Sequence, residues 1–422
     1  MSPSFRTFSS LKLPTYRLYL GMYLSQMIAM DMRSLAQSLL LYRITGSVAL
    51  LGVMALVNAV PGILLPIFGG VIADRVSKKD VVVWGQAGSM LTSLIVAFSL
   101  TFGFLNSEHP ASVWILMLAS AVNYASSGLS GPSRHAIVAE LFGADQVMNA
   151  ISLRSTGYNI VHLGAPALAG VLVDVVGFNI VFYITSSISI LAMILSVLLP
   201  RTPKGEPGGG NVFSQLRDGF KYVRSEGSIR FVLVYTWIAA MLATPGSRLL
   251  PVYVDDILKV SAGGMGMLLS ATAIGAMVSS LAVASLPNKK RGILLLVASS
   301  ILGIVYVFFA FSTSYHLSLA LMVAVGFART ARTNLSNTLL QSYTAPNYRG
   351  RVMSFYSMED GITSLGGFVA AIAASGVSLN LAGGSFQWGG IGVVWAVGGF
   401  AMALVALPII TAVFQPKIRR LD

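Results

Sequence analysis

Twelve runs of about twenty mostly apolar residues recur along this chain of 422, centred near positions 30, 60, 92, 122, 158, 188, 242, 274, 302, 328, 364 and 402. Hydrocarbon about 30 Å thick takes about 20 such residues per helix, so each run is long enough to span a bilayer. No other feature limits the fold so strongly. Backbone polar groups in lipid are satisfied only in helices or closed barrels, and strand alternation is not evident, which leaves an all-α membrane protein. Composition agrees, with 10% of residues charged against about 25% in an ordinary soluble domain. The first run, from about Leu18 to Leu41, is too long for a signal-peptide core and lacks a small-residue cleavage site, so it is expected to remain as the first helix.

The net charge of +13 would point to nucleic acid in a soluble chain, but its distribution gives another reading. Of 28 Lys and Arg, 21 fall in the even-numbered connections and the two tails. The odd connections hold only Arg43 and Lys259, and the other five lie within helices. Cationic loops resist translocation, so both termini are expected on the cytoplasmic side of a multi-pass protein in the plasma membrane, of the bacterial inner-membrane kind. The partners implied are a lipid bilayer and a small-molecule substrate, with no nucleic acid.

The longest connection, Arg201 to Arg230, opens with the Pro/Gly-rich "RTPKGEPGGGN", a flexible linker. In the following "VFSQLRDGFKYVRSEG", Val212, Phe213, Leu216, Phe220 and Val223 are spaced as one helix face opposite Arg217, Lys221 and Arg224. That pattern fits a helix on the inner leaflet, or a solvated tether. The connection divides the chain into an N-terminal six-helix bundle (1–200), a linker with an amphipathic helix (201–230) and a C-terminal six-helix bundle (231–422). "QVMNAIS" at 146–152 is similar to "RVMSFYS" at 351–357, and "YRITGS" at 42–47 to "LKVSAG" at 258–263; a duplicated six-helix unit is the economical explanation.

After the second run the chain reads "GGVIADRVSKKD" from Gly69 to Asp80. The glycines are expected to end the helix, with Asp74 and Arg75 in a tight cytoplasmic turn. A carboxylate there can face the N-terminus of a helix in the other half, or an arginine, and latch the halves together. Gly70, Ile72, Ala73, Asp74, Arg75, Lys78 and Lys79 resemble the signature loop of the major facilitator superfamily, with Ser77 in place of its second glycine. "RGRVMSFY" at 349–356 adds to the likeness. "DMRSLAQSLLLYRITGS" (31–47) and "GPSRHAIVAELFGADQVMNAIS" (131–152) resemble the branch of macrolide-efflux proteins and the enterobactin exporter. The resemblance implies the major facilitator fold, twelve transmembrane helices in two pseudo-symmetric six-helix bundles, with alternating access to one central site. Its antiporters often carry a Gly-Pro motif in helix five; Gly157, Gly164, Pro166 and Gly170 match it in part, with Ala165 where glycine is expected.

Charges inside the membrane cost about 2.5–3.5 kcal/mol each on insertion scales and mark function by default. Asp31 stands deep in the first helix and is the candidate for the coupling proton, with Glu359 and Asp360 beside it in that role. The alternative for Asp31 is a fixed pair with an arginine of a neighbouring helix. Arg33, Arg248, Arg329 and Arg332, with the polar Gln26, Asn58 and Tyr124, are the candidate substrate contacts. Arg329 and Arg332 share one helix face and need anionic company, either Glu359 and Asp360 or an acidic substrate. Gly70, Asp74, Arg75, Lys79, Arg134, Arg154, Arg349 and Arg351 form the candidate gating set. "TPGSRLLP" at 244–251 breaks its helix around Arg248, as a cavity lining, a hinge or a packing kink.

The chain contains no G-x-x-x-x-G-K-[ST] and no G-x-S-x-G, its four histidines are scattered, and it has no cysteine. ATP-driven pumping, enzyme chemistry, a metal site and a cofactor are therefore not expected. The reading is a monomeric secondary transporter exchanging protons for a small amphiphilic or anionic molecule of the drug or siderophore type. Proton-coupled uptake of a small organic anion and lipid flipping are the alternatives.

Overall fold

The computed structural model describes residues 9–106, 112–142, 144–200, 212–286, 289–381, 384–388 and 390–414, with backbone alone at 9, 66–75, 135–136, 139–140, 144–146, 212–216, 377–381 and 384–388. Helices α1 (Pro14–Thr45), α2 (Val48–Arg75), α3 (Lys78–Thr101), α4 (Val113–Leu141) and α5 (Ala144–Leu198) come first. Then follow α6 (Val212–Ser225), α7 (Gly227–Ala243), α8 (Ala262–Ser285), α9 (Arg291–Ala310), α10 (Tyr315–Tyr343), α11 (Arg349–Ser357), α12 (Glu359–Ser375) and α13 (Val393–Phe414). Each of the twelve expected centres falls inside one of these helices. Eight helical stretches among the described residues are long and apolar enough by themselves to cross a membrane. α1, α10 and α12 are not among them, and these helices carry most of the interior charges.

Three local features depart from the sequence reading. α2 runs on through Gly69 and Gly70, so Asp74 and Arg75 occupy its last turn and the bend to α3 is only Val76–Ser77. A helical glycine costs about 1 kcal/mol, less than leaving backbone groups unpaired in lipid. α5 holds two expected spans in 55 residues, joined at Gly177 with φ 82° and ψ 169°. Only glycine takes that conformation cheaply, so the joint is one residue, while Pro166 stays within the helix. Between α12 and α13, β1 (Val377–Leu381) pairs antiparallel with β2 (Gly384–Trp388), Val377 opposite Trp388.

The chain forms two compact units, one of Met1–Leu40 with Leu64–Gly209 and one of Leu41–Ile63 with Gly210–Asp422. In unit one, Tyr16, Tyr19 and Met22 of α1 pack with Val82 of α3, Ile137 and Val138 of α4, Phe142, Ala150 of α5 and Leu199. In unit two, the start of α2 lies on α12 through small residues: a Cβ on Gly62 would sit 3.0 Å from the Gly361 Cα, and one on Gly367 3.5 Å from the Ala55 Cβ. That backbone approach is why 41–63 belong with the later helices. α6 forms as expected, and Tyr222 stacks on Tyr348 with centroids 4.1 Å apart, so one face is docked while Phe220 stays exposed.

α8 and α10 approach most closely where Gly275 faces the Val323 carbonyl and Gly326 faces the Thr272 carbonyl. A methyl group at either position has no space, whereas Gly164 of α5 has nothing within 4 Å of a would-be Cβ. Overpacking of this kind costs about 1–3 kcal/mol or more. Gly275→Ala and Gly326→Ala should each lower the melting temperature of the purified protein, and Gly164→Ala should leave it unchanged or raise it.

Candidate functional site

Unit one gathers its polar side chains around α1, which sends them to different neighbours. Asp31 lies 17 residues into α1 and His162 18 residues into α5, about 26 and 27 Å along their helices at 1.5 Å per residue. The Asp31 Oδ2 is 2.9 Å from the His162 Nδ1, and Asp31 is 8% exposed. The Tyr158 ring meets the imidazole edge-on at 4.2 Å from the preceding turn of α5. Arg33, two residues on, faces α3 instead: its Nη1 donates to the Ser93 Oγ at 3.1 Å, and that hydroxyl donates to the Ser89 carbonyl. The Gln37 Nε2 donates to the Leu116 carbonyl of α4 at 2.7 Å. Gln26 is buried, its Oε1 without a hydrogen-bond partner, and Tyr124 is half-buried on α4.

Nearer the start of α1, Arg154 of α5 donates from Nη1 to the Tyr19 Oη at 3.3 Å. Its guanidinium lies 5.4 Å from the Tyr23 ring centroid. Arg134 of α4 is buried beside the same two phenols. Lys79 donates to the carbonyls of Val197 and Leu199, both at 2.6 Å, and so caps the end of α5. The side chains of Asp74 and Arg75 lie outside the described residues, and of Gly70 only the helical backbone is described.

In unit two, the Arg332 Nη2 donates to the Glu359 Oε1 at 2.6 Å, with their side chains 3% and 13% exposed. Of the two kinds of company open to Arg332, the fold supplies a carboxylate from α12. Arg329, one turn earlier, is exposed and acts electrostatically on Asp360, as does Arg248. The Arg248 Nη2 donates to the Ser364 Oγ at 3.2 Å. The broken stretch around Arg248 consists of the turns Pro245–Arg248 and Leu250–Val252 and a π-helical turn, Tyr253–Ile257, and Gly246 is pressed against the Tyr306 ring. Asn58 is buried on the part of α2 that joins this unit. The Arg349 Nε donates to the Thr344 carbonyl at 3.3 Å, and Arg351 lies 5.2 Å over the Tyr348 ring.

Two contacts were not singled out from the sequence. His162 counted there only as one of four scattered histidines. Equal depth on two helices expected to start from the same membrane face was the signal that could have paired it with Asp31. The other contact joins the end of α1 to the π-helical turn. Arg43 makes a two-pronged bond to Asp255, Nε to Oδ2 at 3.1 Å and Nη2 to Oδ1 at 3.0 Å, and Tyr42 donates to Asp256.

Residues 19–364 match the description of the Major Facilitator Superfamily. The chain belongs to that superfamily. As a member it is a multi-pass membrane transporter of small molecules and not an enzyme. It is 23% identical to the staphyloferrin A transporter of Staphylococcus aureus over 328 residues, 77% of this chain and 80% of that one. To the multidrug efflux pump Tap of Mycolicibacterium fortuitum it is 21% identical over 385 residues, covering 89% and 90%. Among solved structures, the nucleoside transporter NupG superposes with a TM-score of 0.71 at 14% identity, covering 96% of this chain and 100% of that one, a likeness of fold.

Removing one partner of a buried ion pair strands the other charge and costs about 3–5 kcal/mol, whereas replacing both with apolar groups is often neutral. Glu359→Gln should therefore lower the thermal stability of the purified transporter clearly. The double change Arg332→Met with Glu359→Leu should recover most of the loss, as differential scanning fluorimetry in detergent would show.

Proposed function

We propose that this superfamily member is a proton-coupled exporter of a small amphiphilic or anionic molecule, and that Asp31 with His162 carries the coupling proton. The contact between those two groups is the observation that supports the reading. A carboxylate deep in a membrane helix is costly when ionised and alone. Imidazole is the side chain that ordinarily gains and loses a proton near neutral pH. The two lie 2.9 Å apart without hydrogen-bond alignment, and a small turn of the imidazole lets them hold one proton as a neutral pair, or separate charge as carboxylate and imidazolium. A second proton discharges the carboxylate and leaves the imidazolium without its counter-charge. Each state presents a different charge to the helices around it, and a transport cycle can use that difference.

Alternating access then rests on two six-helix halves, 1–200 and 231–422, joined by 201–230, in a monomer with both termini cytoplasmic in the plasma membrane. In that orientation Arg43, Asp255, Tyr42 and Asp256 lie on the outer side. A partly exposed ion pair contributes about 0.2–1 kcal/mol, enough to bias a closed outer end and little enough to break in every cycle. One relative's name, a multidrug efflux pump, favours export, and another's, a transporter of staphyloferrin A, favours a small-molecule cargo. Interior arginines in excess of carboxylates favour cargo with negative charge.

Proteoliposomes containing a trapped pH-sensitive dye test the coupling against a panel of acidic and basic amphiphiles. A transported compound should drive proton movement through the wild type. Asp31→Asn and His162→Gln should each cut that movement at least tenfold while exchange of labelled compound against unlabelled compound continues. Undiminished proton movement through Asp31→Asn would remove the pair from this role.

A further inference from the structure

We propose that Arg134 and Arg154, walled by Tyr19 and Tyr23, form a carboxylate-binding site within unit one, where an acidic cargo is held on its way through the protein. The inference rests on the transporter reading and names the class of its cargo. The sequence places both arginines among gating residues, and a gating cation needs an anionic partner to release. Among the described residues no carboxylate forms an ion pair with either.

Their present contacts are weak ones. Arg134 is 8% exposed, and its Nη2 reaches the Ser127 carbonyl at 3.4 Å, while its Nη1 is buried without a hydrogen-bond partner. Arg154 has the Tyr19 hydroxyl at 3.3 Å and the face of Tyr23. The Tyr19 hydroxyl in turn donates to the backbone carbonyl of Arg134 at 3.4 Å, and the rings of Tyr19 and Tyr23 stack with centroids 6.3 Å apart. Both guanidiniums act electrostatically on the same two phenols. A cation–π contact returns only part of what it costs to hold a guanidinium out of water. The cluster therefore keeps two positive charges and an unused donor in one place, and the planar fork of arginine matches a carboxylate.

Behind the site Tyr16 donates to the Ala150 carbonyl at 2.8 Å, and Phe142 packs edge-on against Tyr16 and Tyr19. The aromatic walls are thus fixed before any ligand arrives. Arg154 is only partly buried and provides the way in. On the same face of α5, Tyr158 and His162 follow at intervals of four residues. The Asp31 pair thus lies about two turns further along that face.

Phthalate, a flat dicarboxylate, and dimethyl phthalate, its neutral diester, test the site by calorimetric titration of the full-length protein in nanodiscs of phosphatidylcholine. Phthalate should bind and the diester should not. Arg154→Gln should weaken phthalate binding at least tenfold, Arg154→Lys should restore part of it, and Arg134→Gln should weaken it similarly if it folds. Arg224→Gln, exposed on α6, should bind as the wild type does. The titration is run without a proton gradient, so that a failure of proton coupling leaves the anion site standing. Equal binding of acid and diester, no binding of phthalate, or unaltered binding by Arg154→Gln would overturn the proposal. So would loss of phthalate binding when phosphatidylglycerol is added, which would give the site to a lipid headgroup.

Discussion

A charge carried into hydrocarbon is tolerable only if it meets a partner, and in this chain the search for partners organises the helices. Isolated, each such group costs about 2.5–3.5 kcal/mol by insertion scales, and several are spread through a protein whose net stability is of order 5–15 kcal/mol. Unit one meets the demand around α1. Asp31 turns to α5, Arg33 to α3 and Gln37 to α4, so one helix is fixed in rotation by three different contacts. Unit two meets it across α10 and α12, where Arg332 and Glu359 neutralise each other.

The second constraint is close approach. Where apolar side chains gain little from leaving lipid for one another, helices associate through backbone contact and small residues. Gly275 and Gly326 serve α8 and α10, while Gly62 and Gly361 serve α2 and α12. The same stretch of chain carries Arg43, bonded to Asp255. The stretch 41–63 is thereby held by two different forces, one of steric fit and one of charge. Only the charged one is partly exposed to water, and it is the weaker of the two to break.

Much of this architecture is legible in the chain itself. A span of twenty apolar residues is a local property, so the helix centres follow from counting, and the cost of a charge in lipid is local too, so Asp31, Arg248 and Arg332 declare themselves. Partners are not local. His162 looks ordinary by itself and becomes informative only when its depth along α5 is compared with that of Asp31 along α1. The one-residue joint at Gly177 and the passage of α2 through Gly69 and Gly70 turn on which backbone bonds survive, which composition does not reveal. The strands 377–381 and 384–388 left only a short trace, Val377, Leu379 and Leu381 alternating with Ser378 and Asn380. That signal is overshadowed by the apolar helices on either side. Unlike the partners, the excess of positive charge near Tyr19 could have been suspected from Arg134 and Arg154, because neither has an acidic residue one turn away.

The central claim is that Asp31 and His162 exchange a proton as one unit, and infrared difference spectroscopy of the reconstituted protein across a pH step observes it most directly. The account predicts a carboxyl band that disappears in Asp31→Asn and changes frequency when His162 is replaced by glutamine. A spectrum identical in all three proteins would contradict it.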